Sequence, residues 1–161
     1  MTTSLSSQPP QAAFEPLDPA FAARVRASFG RQKAMALIGA TMTRVEPGFC
    51  EIELPFRDDL TQQKGYVHGG IIAMIADSAC GYAAYSLMPA DSSLVTVEYK
   101  INIMAPAKGG LLVARGEVIK PGRTLTITSG EVTARQDGRS VLVAAMQQTL
   151  MTLPDTPDTP D

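Results

Sequence analysis

The sequence predicts an α+β fold in which a strongly curved antiparallel sheet wraps around one long helix. Three observations carry this. Residues 69–87 run small and apolar almost without interruption, too long for a strand and bounded by Gly69-Gly70 and Pro89. The segments flanking that run alternate polar and apolar residues, as strands with one buried face do. Turn signals at Pro47-Gly48, Pro121-Gly122 and Asp137-Gly138 join those segments into hairpins. A helix apolar nearly all round must be covered on most sides, and a curved sheet supplies that cover.

The elements follow in order. Asp18 is placed to cap a first helix over 18–38, with Pro19 suited to its first turn and Gly30 a candidate break. "ATMTRVEPGFCEIELPF" reads as two strands around Pro47-Gly48. "DDLTQQKGYV" is a polar connector into the long helix. Four strands come after it: "SLVTVEYKINIM", "GLLVARGEVIK", "RTLTITSGEVTARQ" and "RSVLVAAMQQTLM". These elements make one domain over 18–153. The ends, 1–17 and 154–161, are rich in Ser, Thr, Pro, Gln or Asp and are expected to be disordered tails.

Bulk properties exclude several classes. With 161 residues, a net charge of -2 and a pI near 5.4, the chain has no electrostatic footprint for nucleic acid. No basic amphipathic stretch suggests a membrane surface. The first residues lack the charged and apolar regions of an export signal, and the apolar helix over 71–85 is shorter than the roughly 20 residues of a membrane span and carries an acid. A soluble, cytoplasmic protein is expected. Cys50 and Cys80 are the only cysteines, and with a single histidine they cannot build a structural zinc site. Neither a metal nor a cofactor is expected, and the thiols are expected to be free.

The chemistry concentrates in "GYVHGGIIAMIADSACGYAAY". Asp77 stands inside the apolar run, with no Lys or Arg between Gly65 and Tyr99 to neutralise it. Burying an unpaired carboxylate costs several kcal/mol or forces it to take up a proton. Asp77 is therefore either a functional acid or a hydrogen-bonded residue on an imperfectly buried face. His68-Gly69-Gly70 opens the helix, and the first amides there have no intrahelical acceptor and lie at the positive end of the dipole. Such amides can polarise a carbonyl; the plainer reading is a strand-to-helix turn. Nine residues separate His68 from Asp77, about 13 Å and half a rotation along a helix. Two helices packed antiparallel across a two-fold axis would bring His68 and Gly69 of one chain to Asp77 of the other. No nucleophile elbow, phosphate loop or dinucleotide fingerprint is present.

"QQKGYVHGGIIAMIADSACGYAAYS", "VTVEYKINIMAPAKGG" and "EVIKPGRTLTITSGEVTARQDGRSVLVAAM" closely resemble the hotdog-fold acyl-CoA thioesterases of the PaaI type, over about Gly39 to Leu150. The resemblance implies a helix wrapped by an antiparallel sheet, a homodimer with shared sites, often a homotetramer, and an acyl-CoA substrate. It implies that Asp77 activates water or attacks the thioester. It gives the Gly69 amide the task of polarising the carbonyl, and His68 that of shaping the glycine turn. Gln62 matches an Asn or Gln near the acyl group, with Gln63 one residue away. Thr96 matches a hydroxyl that positions the lytic water. Gly70, Gly122, Arg123 and Thr124 match substrate- or CoA-contacting positions. A related branch has Glu as its acid and a hydroxyl one turn later; Asp77 and Gly81 here favour the Asp-plus-Thr96 arrangement. Met74, Tyr82, Tyr85 and Met88 are candidates to line an acyl pocket. The other readings that the fold would allow are a hotdog hydratase or dehydratase and a non-catalytic acyl-CoA-binding module.

Overall fold

A computed structural model describes residues 14–156 and 158–159. The expected first helix is two helices, α1 (Phe21–Arg31) and α2 (Lys33–Ile38). The chain leaves helical geometry at Gln32, whose φ and ψ are extended, and not at Gly30, which stays inside α1. Asp18 acts just ahead of α1, where its carboxylate accepts from the Ala20 amide and from Arg24, both at 2.8 Å. The Ala20 hydrogen bond, then the Arg24 guanidinium, hold this carboxyl below the usual range. Gly39, in the left-handed region at φ 79°, ends α2.

Two strands follow, β1 (Thr41–Glu46) and β2 (Phe49–Pro55), then the central helix α3 (Gly69–Tyr85). The remaining strands are β3 (Ser93–Ile103), β4 (Leu111–Lys120), β5 (Leu125–Gln136) and β6 (Arg139–Leu153). All pairings are antiparallel, and the sheet order is β1-β2-β4-β5-β6-β3. The expected hairpins form: Gly48 turns at φ 76°, and Asp137-Gly138 at 51° and 74°, both positive as a two-residue hairpin turn of this kind requires.

The sheet admits α3 closely because two glycines face each other on neighbouring strands. Gly116 of β4 pairs with Gly130 of β5. A Cβ on Gly116 would lie 2.3 Å from the Ala79 carbonyl carbon, and one on Gly130 would lie 2.7 Å from Cys80 Sγ. The helix backbone thus sits in a trough that no side chain fills. Ile72, Ile75, Ala76, Ala79 and Ala83 of α3 meet Ile52, Leu54, Leu112, Ala114 and Val132 there in the core. Both cysteines are free and buried, and burial pushes the Cys80 thiol up to about 12. The other end of α3 is held by α1. Arg24 donates to the carbonyl oxygens of Tyr85 and Met88 and stacks over the Tyr85 ring at 4.1 Å.

Strand β3 is one edge of the sheet and is unusually apolar for an edge. Val97 is 54% exposed and Ile103 50%, with Val95 and Tyr99 also open to solvent. Its pairing with β6 slips between Thr96 and Glu98, a bulge that adds one residue.

Of the tails expected at 1–17 and 154–161, residues 1–13, 157 and 160–161 lie outside the described residues. Phe14 packs on Gly48, the Thr156 amide donates to Asp91 O, and Asp158 pairs with Arg31 at 2.8 Å. Among the described residues, no helix is long and apolar enough to cross a membrane.

Candidate active site

The start of α3 is a backbone feature. His68 precedes it in extended conformation, and its Nδ1 accepts from the Gly70 amide at 2.9 Å. That cap satisfies one early amide with a side chain, as helix N-termini require. The His68 carbonyl takes the amides of Ile71 and Ile72. The Gly69 amide donates to no acceptor among the described residues.

Gly69 opens onto a recess of about 340 Å³ lined by Gln62, Tyr66, Ile72, Ile103 and Met104 among others. Gln62 lines it and Gln63 does not; the Gln62 Oε1 accepts from the Lys64 amide. Gly70 faces its own cap, since a Cβ there would lie 3.1 Å from His68 Nδ1.

Asp77 lies eight residues further on, about 12 Å along the axis. It lines a different cavity, of about 120 Å³, with Ser28, Gln32, Tyr82, Tyr85 and Thr96. Met88 lines a third cavity, and Met74 lines none of these three. Asp77 is half-buried and, among the described residues, makes no ion pair. It is nevertheless hydrogen-bonded. Its Oδ1 accepts from Thr96 Oγ1 at 2.8 Å and from Gln148 Nε2. Gln148 Nε2 also donates to Thr96 Oγ1 at 2.9 Å, closing a triangle.

Strand register explains why these side chains meet. Thr96 pairs with Leu150 of β6, and both face α3. The bulge after Thr96 shifts the alternation, so that Tyr99 pairs with the inward-facing Gln148. Gln148 is 1% exposed in the row Ala144, Met146, Gln148, Leu150. The sequence reading passed over it. The available signal was an amide at a core-facing position of an otherwise apolar alternation.

The turn at 121–124 is separate. Gly122 and Arg123 line a cavity of about 480 Å³ with Leu17, Leu87 and Met88, beyond the end of α3. Thr124 lies outside that cavity and accepts the Thr152 amide through its carbonyl. Within one chain, neither this turn nor the Gly69 recess shares a cavity with Asp77.

An ionisable acid, a hydroxyl and a free helix-start amide on a helix-in-sheet scaffold are the parts of a hydrolase that adds water to a carbonyl. Comparison with known proteins assigns the family. The thioesterase superfamily profile matches residues 64–141, which include His68, Asp77, Thr96 and Arg123. A thioesterase family protein from Silicibacter pomeroyi is 46% identical and superposes with a TM-score of 0.82, over 83% of this chain and 98% of that one. Human acyl-coenzyme A thioesterase 13 is 29% identical over 102 residues, 63% of this chain and 72% of that protein. The PaaI protein of the phenylacetic acid degradation operon of E. coli is 19% identical, with a TM-score of 0.78 over 87% of this chain and 98% of its own; at that identity the likeness is one of fold. The architecture is thus a hotdog fold of the thioester-hydrolase class. The chain belongs to the thioesterase superfamily.

Proposed function

We propose that the protein hydrolyses an acyl- or aryl-CoA thioester to the free acid and CoA, in sites shared between two subunits of a homodimer. The observation that carries this is the layout of the exposed edge β3. Thr96, bonded to Asp77, stands near one end of the strand, and Ile103, against Gly69, stands at the other. Antiparallel pairing of two β3 edges about a two-fold axis near the middle of the strand brings the Thr96 end of one strand towards the Ile103 end of the other. Each Asp77 then faces the Gly69 of the partner subunit, and the apolar edge is covered.

In this reading the thioester carbonyl lies between the two. The partner's Gly69 amide donates to its oxygen, which gains charge only as water adds. Asp77 takes a proton from water, the hydroxide oxygen bonds to the carbonyl carbon, and the carbon–sulfur bond then breaks. The departing CoA thiolate takes up a proton, and the acid product leaves. Arg123, with a guanidinium suited to bidentate contact, is assigned to a CoA phosphate.

Complementation tests the shared site. Asp77→Ala and Gly69→Pro, which removes the amide, should each release little thiol from a panel of aryl, short and long acyl-CoAs. Mixed heterodimers should regain up to about half of the wild-type sites. Proven heterodimers without recovered activity would exclude sites built in trans. Tight binding of CoA thioesters with no hydrolysis by the wild type would leave a binding module instead.

A further inference from the structure

We propose that Gln148 is a positioning residue for hydrolysis. Its amide fixes Oδ1 of Asp77 and the Thr96 hydroxyl, and leaves Oδ2 as the oxygen that takes the proton from water. The inference rests on Asp77 being the base of the reaction proposed above.

The donor count comes first. Thr96 has one hydroxyl proton, and it goes to Asp77 Oδ1. One of the hydroxyl's two acceptor positions takes the Gln148 amide. Thr96 can therefore accept one hydrogen bond from a water but cannot donate to it. Oδ1 already receives Thr96 and Gln148. A water seated beside the pair gives one proton towards Thr96 Oγ1 and the other to Asp77 Oδ2. Its oxygen lone pair stays free for the carbonyl carbon. Without Gln148 the Thr96 hydroxyl could turn, and the two carboxylate oxygens would no longer differ.

The amide orientation carries the second part. Exchanging the nitrogen and oxygen of Gln148 would turn Oε1 towards the carboxylate, two acceptors facing each other. Only the orientation with Nε2 towards Asp77 suits an ionised acid. That orientation has a cost, because Gln148 Oε1 is buried with no hydrogen-bond partner among the described residues. Buried polar atoms are nearly always paired. Met or Leu would fill the row between Met146 and Leu150 with nothing left unsatisfied. A residue that leaves a core oxygen unpaired while giving both N–H bonds to a reacting acid and its neighbour is placed for that acid rather than for packing.

Gln148→Met tests this, since methionine has similar length and no donor. The folded variant should lose about 10- to 100-fold in kcat with KM within two-fold. Gln148→Glu, which sets a second carboxylate against Asp77 in place of the donor, should lose more than Gln148→Met. The titratable groups near Asp77 are Asp158, Tyr82 and Tyr85 around the same cavity and Cys80 one turn on. Asp158→Asn, at another acid lining the same cavity, serves as a control. Unchanged kcat in folded Gln148→Met would overturn the proposal. Should that variant fail to fold, the wild type still decides by NMR. The side-chain amide signals of Gln148 should titrate with the Asp77 carboxyl carbon at one midpoint and lose that titration in Asp77→Asn. Amide signals indifferent to Asp77 would overturn it too. A wild type that shows the linked titration but hydrolyses no CoA thioester would sink the hydrolase reading and leave the contact standing.

Discussion

The two groups of α3 assigned to the proposed reaction are built by opposite means. At the start, the proposed group is the Gly69 backbone amide, beside a side-chain cap that satisfies its neighbour Gly70 and open to a recess. Midway along, the proposed group is the Asp77 carboxylate, held from two different strands by Thr96 and Gln148. One site is made by what the residue lacks; the other depends on side chains brought from 19 and 71 positions away in sequence. Isosteric substitution should therefore disable the acid cleanly. The amide can be reached only by changing the shape around it.

The largest expected effect breaks the acid end alone. Asp77→Asn keeps the shape and removes the base, and kcat should fall by about 100- to 10,000-fold, the usual contribution of a positioned acid–base group. The proposed dimer and its melting temperature should stay near wild type, because Asp77 makes no ion pair among the described residues. Near-normal turnover would remove Asp77 from the chemistry. Unfolding would make its hydrogen bonds structural.

Thr96→Val is the middle case, testing the strand side of the acid end. Valine matches threonine in shape and suits an edge strand. We expect kcat to fall about 10-fold with little change in substrate binding, since Gln148 still holds Asp77. No change in either constant would show that the lytic water needs nothing from Thr96.

These unequal constructions also explain what could be read from sequence. The helix, the hairpins and their turns are local patterns, so apolar runs and Pro-Gly or Asp-Gly pairs show them directly. His68-Gly69-Gly70 is equally local. The setting of Asp77 is not. No Lys or Arg lies between Gly65 and Tyr99, which makes the acid look stranded, whereas its donors come across the sheet. Thr96 was reached only through family likeness. Gln148, beside Gln147 in a polar-looking patch of β6, shows only its place in the alternation of Ala144, Met146 and Leu150, and strand register is needed to show what it faces. The break at Gln32 was also hidden: Gly30 is the weaker helix former by propensity, yet nothing lies within 4 Å of where its side chain would be, and α1 runs through it.

The smallest expected effect sharpens the comparison at the amide end. Gly69 has helical geometry, so alanine fits its backbone, and the amide itself survives the change. A Cβ there would approach Ile103 Cδ1 to 2.8 Å, closer than real contacts come. That atom is the tip of a flexible side chain, half exposed at the end of β3, and it can swing away. Gly69→Ala should thus lower kcat/KM only about 3- to 10-fold, or roughly 0.7–1.4 kcal/mol. Ile103→Val deletes the clashing methyl, and with it Gly69→Ala should return to within about two-fold of the Ile103→Val single variant. Such coupling is what a double-mutant cycle measures for residues in contact. If the loss persists after Ile103 is shortened, the glycine is needed for the approach of a substrate atom to the backbone. If Gly69→Ala alone costs as much as Gly69→Pro, the amide and the space beside it cannot be separated, and the start of α3 is as dependent on side-chain shape as the acid end.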